Sequence, residues 1–349
     1  MAFAKASGYT NLNSGNFSPV IYSKKVQKAF RTASVVDAVT NTDYSGEIAN
    51  FGDSVKIIKE PDITITTYER GTTLATQDLT DADFTMVVNQ ANYFQFAIDD
   101  IEEAHSHVSF GDLASDRAGY KLRDTFDSEV LHHMAGFTAA GARRTSLETG
   151  STKADSNADN DELLPANKLD ITDFGGSDIG GASEITSIPI AAGGGAGGIT
   201  SPLAILNRIA RQMDQASVDT DSRWCVVDPV FAEVLMDEDS KLINSDFGGG
   251  DELRNGRMPG QLRGFTIYKS NNLPQLGTGA GTAASAGSET NMGFLVAGHS
   301  SAVATAEQIA KTETFRSPTT FADIVRGMQL YGRKILRPEA LFTAAYNLA

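Results

Sequence analysis

The stretch that decides the fold runs from Phe321 to Leu341 and reads FADIVRGMQLYGRKILRPEAL. Its β-branched and aromatic residues predict a long strand from Ile324 to Leu336, because such side chains fit a pleated, half-buried surface. A second strand is predicted from Ala340 to Leu348, and the two join at Arg337-Pro338. The chain is therefore expected to end in two long strands.

Upstream of this region, four segments rich in β-branched and aromatic residues predict strands or hairpin arms. They are Ser54 to Glu60, Ile63 to Glu69, Thr85 to Asn89 and Tyr93 to Ile98. The stretch between the second and third, Arg70 to Asp83, is polar and rich in Thr and Asp. A long hairpin with a polar tip cannot bury itself, so we expect it to project and to lie on another molecule.

The strongest helical pattern follows these strands. Ala118, Leu122, Phe126, Val130 and Met134 recur at every fourth position. This spacing predicts a long helix that begins near Ser109 or Asp112 and ends at Gly136. A spacing of four slightly exceeds one helical turn, so the apolar stripe winds around the helix, as expected of a helix that crosses several neighbours.

The region from Gly136 to about Gly198 is rich in small and polar residues and is interpreted as an insertion or a long loop system. Ser201-Pro202 then predicts a helix start. A buried strand is predicted at Arg223 to Val227, and a second helix after Asp228-Pro229. Helix, strand and helix in this order predict an α/β layer. Further strands are expected at Phe265 to Tyr268 and at Gly293 to Ala297.

The charge of the chain is strongly asymmetric. Its 349 residues carry a formal net charge of −15, which on average repels nucleic acid. The first acidic residue is Asp37, and the segment before it carries Lys24, Lys25, Lys28 and Arg31. These basic residues predict either a phosphate-binding arm or a solvated one, and the sequence leaves the two open.

Composition also excludes several classes of protein. A single cysteine, Cys225, rules out an intrachain disulfide framework and a multi-cysteine zinc site. Its apolar neighbours predict an inert, buried thiol. No apolar run reaches the roughly 20 residues of a membrane span. The start of the sequence lacks the pattern of a secretory signal, so a soluble protein is expected.

Two motifs resemble parts of enzyme sites but lack their context. Gly193 to Gly198 matches the glycine pattern of dinucleotide-binding turns, but Pro189 breaks the preceding segment and the helix cap lies beyond the glycines. Gly298 to Ala302 resembles a nucleophile elbow whose second glycine is replaced, and His299 is the last histidine of the chain. A flexible linker and a strand-end turn are the expected structures.

Two further patterns concern metals. Glu102-x-x-His105 and Glu129-x-x-His132 match the element of di-iron bundles, but one continuous helix would hold them about 40 Å apart. Asp155 to Glu162 resembles half of a calcium loop that lacks its central glycine and its final glutamate, which leaves only a weak, adventitious Ca²⁺ site open. We predict no catalytic, cofactor-binding or metal-ligating residue and no enzyme activity.

The order of these elements resembles the major capsid proteins of tailed bacteriophages, which share the HK97-type fold. The resemblance is carried by His299 to Ile309 with Phe321 to Leu341, which look like the closing strands of such proteins. Trp224 to Phe231 with Arg263 to Tyr268 look like the core of their axial domain. The resemblance implies an α+β fold with an N-terminal arm, an extended E-loop hairpin, a long spine helix in a peripheral domain, and an α/β axial domain.

The resemblance also implies a division of the chain. The expected parts are an N-terminal arm (1–44), the E-loop and flanking strands (45–99), the spine helix of the peripheral domain (100–136), an insertion or loop (137–199), the axial domain (200–310) and the closing strands of the peripheral domain (311–349).

By the same resemblance, the chain would form hexamers and pentamers of an icosahedral shell around phage double-stranded DNA. Expected partners are other copies of the chain, a separate scaffolding protein, a portal protein and packaged DNA, and decoration proteins are left open. The expected location is the virion, and the host cytoplasm during assembly. An encapsulin-like compartment shell and, less favoured, a hydrolase or di-iron enzyme are the alternatives.

Residues expected to take part in assembly come from the arm, the hairpin tip and the helix stripe. They are Lys24, Lys25, Lys28, Arg31, Arg70, Thr72, Thr73, Asp78, Asp81, Leu122, Phe126 and Val130.

Overall fold

The structure is a computed structural model. It describes residues 34–44, 54–59, 63–71, 73, 76–77, 82–100, 110–136, 163–176, 187–195, 198–237, 260–276 and 292–349.

Strands outnumber helices in the described part of the chain. The helices are α1 (Val36–Val39), α2 (Phe110–Met134), α3 (Pro202–Gln215) and α4 (Pro229–Leu235). The strands are β1 (Ser54–Lys59), β2 (Ala82–Val87), β3 (Gln90–Asp99), β4 (Lys168–Leu169), β5 (Ile188–Ile190), β6 (Arg223–Val227), β7 (Gln261–Leu262), β8 (Phe265–Lys269), β9 (Gln275–Leu276), β10 (Met292–His299), β11 (Val303–Arg316), β12 (Ala322–Ile335) and β13 (Leu341–Leu348). Single 3₁₀ turns lie at Pro165–Asn167, Ile171–Phe174 and Pro338–Ala340.

Eight strands form a central mixed sheet in the order β4, β13, β10, β6, β8, β7, with β5 beside β13 and β9 beside β10. The whole of β6 is buried, because helices cover both faces of this sheet. Trp224 and Val226 pack in one apolar cluster with α2, whereas Cys225 and Val227 pack in another with α3 and α4. The predicted α/β layer is therefore present.

Side-chain caps fix the starts of the two helices on this sheet. Ser201 accepts a hydrogen bond from the backbone N–H of Ala204 at 3.4 Å, ahead of Pro202 in the first turn of α3. The Asp228 carboxylate accepts from the N–H of Phe231 at 2.9 Å and begins α4. Both starts fall where the sequence predicted them.

A second sheet of three antiparallel strands has β12 in the middle, between β11 and β3. Its pairing with β3 runs from Ala322 opposite Asp99 to Tyr331 opposite Gln90 without a register shift. Its pairing with β11 contains a bulge between Glu307 and Ile309. Alternate residues of β12 face opposite sides, so one face packs against α2 and the other faces away from it.

The hairpin formed by β1 and β2 projects from the outward face of this sheet. Its base is anchored where Met86 and Val88 pack on Ala304 and Ala306 of β11. The backbone of β2 passes so close to β12 that a Cβ atom on Gly332 would lie 2.8 Å from the carbonyl oxygen of Val87. Glycine at 332 is therefore what allows the hairpin to leave the sheet at this point.

Two segments are arranged differently from the paired strands expected of them. Residues 63–69, which have a strong strand pattern, belong to no strand and are exposed throughout. The final strand, Leu341–Leu348, pairs with β10 in the central sheet, whereas the family resemblance implied that residues 311–349 close the peripheral domain. The reason is local, since Pro338 begins a 3₁₀ turn that ends one strand and redirects the chain before the next.

The long helix extends from Phe110 to Met134, as its apolar spacing predicted. Its carboxyl-terminal half buries Phe126, Val130, Leu131 and Met134 against the central sheet. Within the described residues, no helix combines the length and the apolar character that crossing a membrane requires.

Candidate assembly surface

Large apolar side chains are exposed along the hairpin and the adjoining extended segment. Ile58 on β1 is 80% exposed, and Ile65 is 94% exposed. Ile63 and Tyr68 are also exposed to more than half. Several large apolar side chains exposed in one part of the chain are typical of an interaction surface.

Further large apolar side chains are exposed on the outward face of the three-stranded sheet and at its far end. Tyr93 of β3 is 80% exposed, and its cross-strand neighbour Met328 of β12 is 42% exposed. At the far end of the sheet, where β12 begins, Phe321 is 79% exposed. The hairpin base covers only the near end of this face, around Gly332. The outward face therefore stays open over the rest of its length.

Ion pairs hold the strands of this sheet in register. Arg326 of β12 donates to the Glu313 carboxylate of β11 at 2.7 Å and its guanidinium lies 4.8 Å from the centre of the Phe315 ring. Hydrogen bonds from Lys311 and Arg326 lower the pKa of Glu313 to about 2. Glu313 therefore stays ionised at neutral pH.

A similar cluster closes the far end of the sheet. Arg316 donates to Asp100 at 2.7 Å and to Asp323 at 3.1 Å. The hydrogen bond from Arg316 lowers the pKa of the Asp100 carboxyl. The backbone N–H of Asp100 also donates to the carbonyl of Phe321 at 3.0 Å. These contacts fix the turn that carries the exposed Phe321 ring.

A partly buried polar cluster joins the sheet to α2. Glu129 accepts a hydrogen bond from the side chain of Asn92 at 2.8 Å and another from the Tyr331 hydroxyl. Arg333 donates to the backbone carbonyl of Glu129 at 2.9 Å. Burial, and then the hydrogen bond to Glu129, raise the pKa of Tyr331. Glu129 thus has a structural role in this cluster.

This cluster also bears on the di-iron pattern. Burial lowers the pKa of His132 on α2. The other half of the pattern, Glu102 and His105, lies outside the described residues. In the described part of the chain, no three His, Cys, Asp or Glu side chains converge as a metal site would need.

The other chemical motifs have local structural roles. The His299 Nδ1 atom lies 2.8 Å from the Ser301 hydroxyl, inside the turn that follows β10. Gly194 adopts a positive φ of 68° in the turn between β5 and the start of α3. Cys225 is buried, and burial raises the pKa of its thiol to about 12. The calcium-like stretch from Asp155 to Glu162 lies outside the described residues.

The segment before the hairpin is held against α2 and β11. The wholly buried carboxylate of Asp127 accepts hydrogen bonds from Ser34 Oγ and Val35 N at 2.8 Å and from Val36 N at 3.0 Å. Asn41 forms an isolated parallel bridge with Ala304 at the outer edge of β11. These contacts fix the point at which the preceding basic segment joins the subunit.

The residues predicted for assembly fall into three groups in the structure. Arg70 and Thr73 are exposed, Leu122 is half-buried, and Phe126 and Val130 pack in the core of their own chain. The remainder lie outside the described residues and are Lys24, Lys25, Lys28, Arg31, Thr72, Asp78 and Asp81.

Sequence reasoning missed the apolar members of the surface. They are Ile58, Ile63, Ile65, Tyr68, Tyr93, Phe321 and Met328. The alternation of Ile and Thr in the segment that begins at Ile63 is the available signal, but the same alternation is typical of strands and hairpin arms.

Comparison with known proteins supports the architecture. No family model matches the chain, and no curated protein matches it. Solved structures do match it over nearly their whole length. A structure described as Mycobacterium phage Che8 has 21% identity and a TM-score of 0.65, and the alignment covers 94% of this chain and 97% of that one.

Two further structures give the same result. The capsid structure of the cyanophage P-SCSP1u aligns with 18% identity and a TM-score of 0.67, covering 97% of this chain and 96% of the other. The mature capsid of bacteriophage PhiM1 aligns with 17% identity and a TM-score of 0.58, covering 95% and 92%. The chain therefore has the α+β fold of phage capsid subunits, the HK97-type fold, as its sequence predicted.

Proposed function

We propose that this protein is the major capsid protein of a tailed bacteriophage, a structural subunit that assembles into hexamers and pentamers of an icosahedral shell. The observation that carries the proposal is the likeness to phage capsid structures over more than nine-tenths of both chains. A match over nearly the whole of both chains leaves little of this chain for an added catalytic domain.

The exposed apolar surface supports the same function. A monomer in water gains nothing from Ile58, Ile65 and Tyr93 in the exposed positions that they occupy. In a shell, a projecting hairpin lies on an adjacent subunit, and such distributed contacts between identical copies stabilise the assembly. The hairpin of β1 and β2 and the segment after it are the parts of the chain suited to this contact.

The distribution of charge indicates which parts of the chain would face the packaged DNA inside the shell. The net charge of −15 would limit non-specific adhesion of packaged DNA to the shell wall. The basic residues Lys24, Lys25, Lys28 and Arg31 would contact DNA or an acidic scaffolding protein on the inner face. A scaffolding protein and a portal protein complete the proposed set of partners, and the proposed location is the virion after assembly in the host cytoplasm.

The test is the assembly state of the expressed chain, alone and with a candidate scaffolding protein. We expect hollow, closed particles in electron micrographs and a fast-sedimenting species in the ultracentrifuge. A strictly monomeric chain under all of these conditions would contradict the proposal. Particles that enclose host enzymes instead of phage DNA would indicate a cellular compartment with the same fold.

A further inference from the structure

Two parts of the described chain have the features of paired strands but lack a partner strand. One is the segment Ile63–Tyr68, whose sequence ITITTY consists of β-branched residues and one tyrosine, all of which favour strands. It belongs to no strand of the described structure and is exposed throughout. Its Thr64 N–H donates to the side chain of Gln77 at 3.1 Å, an exposed contact that another acceptor can replace.

The other part is the outer edge of β3. This strand of ten residues pairs with β12 on one side, and no described strand pairs with its other side. From Gln90 to Ile98 it contains no charged residue, no glycine and no proline, and its pairing contains no bulge. Long, regular and uncharged edges of this kind are templates for the addition of another strand.

The opposite edge of the same sheet, strand β11, has features that prevent another strand from pairing with it. Strand β11 has a bulge between Glu307 and Ile309, and its outer half carries Lys311, Glu313 and Arg316. Asn41 covers its start. Bulges and charged side chains discourage the addition of a strand, so the contrast singles out β3.

We propose that the segment Ile63–Tyr68 of one copy of the chain adds as a fourth strand to the free edge of β3 in a second copy. The proposal rests on the proposed function, since it names the contact through which neighbouring shell subunits engage. Main-chain hydrogen bonds supply the affinity of such an addition, and alternate side chains supply its specificity.

Length, charge and side chains all fit this occupant. Six residues in extended conformation span about 20 Å, well within the length of β3. Neither Ile63–Tyr68 nor the facing part of β3 carries a charge. Ile63 and Ile65 point to one side of the added strand, where they would extend the cross-strand row of Met328 and Tyr93 and cover the exposed ring of Tyr93.

Cross-linking of mixed subunits tests the contact. The natural cysteine is buried and does not interfere, so Tyr93→Cys in one population is co-assembled with Ile63→Cys or Ile65→Cys in another. Facing residues on adjacent strands lie within disulfide distance. We expect covalent dimers in mild oxidant for at least one pairing. Thr64→Cys, whose side chain points to the opposite side, is the matched control and should give none.

A second measurement decides the inference even where no shell forms. A peptide of residues 63–70, ITITTYER, is added to the whole unassembled chain and amide exchange is followed. We expect exchange in β3 to slow by roughly tenfold or more, and a peptide methylated at the Thr64 and Thr66 nitrogens to lose most of that effect.

The outcomes separate the two proposals. Shells that form without any cross-link, together with a peptide that protects nothing or protects another strand, overturn the strand addition and leave the shell function standing. A chain that never assembles contradicts the shell function, while the peptide measurement still decides the strand addition.

Discussion

Asn272 donates a hydrogen bond of 3.0 Å to the wholly buried carboxylate of Asp127. The two residues lie 145 positions apart in the sequence. The other oxygen of Asp127 accepts from Ser34, Val35 and Val36, so one carboxylate joins the entry segment, the long helix and a loop of the central sheet. A carboxylate surrounded by donors is stable in a buried site, but its donors depend on it.

We therefore expect Asp127→Ala to lower the free energy of unfolding by about 2–4 kcal/mol, because two buried backbone N–H groups lose their acceptor and the Asn272 amide loses one of its two. Urea unfolding measures the change. Asp124→Ala is the control, since Asp124 also accepts from Asn272 at 3.0 Å but is partly exposed, and its loss should cost less than about 1 kcal/mol. Equal losses for both variants would contradict the role given to Asp127.

The second prediction concerns Gly332 of β12, which lies against the backbone of β2 at the base of the hairpin. Gly332→Ala would place a Cβ atom 2.8 Å from the Val87 carbonyl oxygen, so β2 or β12 must shift. We expect a loss of about 1–3 kcal/mol in urea unfolding. Gly119 in α2 is the matched control, because nothing lies within 4 Å of its Cβ position, and Gly119→Ala should instead stabilise the helix by about 0.5–1 kcal/mol.

Local patterns predicted the elements whose partners lie within the chain. The fourfold spacing that includes Phe126 and Val130 gave the long helix, because the same side chains that form the pattern are buried against the sheet. The apolar run around Cys225 gave a central strand for the same reason. In these places the local sequence and the tertiary contacts favour the same structure.

Other features depend on contacts that a local pattern does not contain. The segment at Ile63–Tyr68 has the composition of a strand, but pairing requires a partner and none is present among the described residues. The position of β13 depends on its pairing with β10 in the central sheet. The role of Asp127 depends on its hydrogen bond with the distant Asn272. No periodicity around Asp127 distinguishes it from the solvated acids of the same helix.

The hairpin tip can be removed without disturbing the fold. Lys59 and Ala82 are opposite each other at the end of the β1–β2 ladder, so an Asn-Gly turn can replace residues 60–81. The described residues 63–71 are exposed, so we expect the free energy of unfolding to change by less than about 1 kcal/mol. Assembly should nevertheless fail in sedimentation and electron microscopy.

Two smaller variants distinguish the apolar from the polar residues of the tip. Ile65→Thr with Tyr68→Thr removes apolar contact area, whereas Arg70→Ala with Thr73→Ala removes polar groups that the sequence singled out. We expect the first pair to reduce the yield of particles by roughly tenfold and the second to reduce it much less, because burial of apolar area is the larger contribution at such contacts. The reverse order would favour the polar residues as the main contact.

Asp228 makes the stability of the central sheet depend on pH. Burial raises its pKa to about 6, against the opposing hydrogen bond from the N–H of Phe231. The pKa is thus higher in the folded than in the unfolded state. The stabilisation from the protonated carboxyl is fully present below about pH 4 and is lost as the pH rises through 6, by about 2–3 kcal/mol.

Asp228→Asn keeps the cap on α4 but cannot ionise. We therefore expect its free energy of unfolding, relative to the natural protein, to rise by that amount between pH 4 and pH 8 in urea titrations. A difference that does not vary with pH would show that folding does not raise the pKa of Asp228.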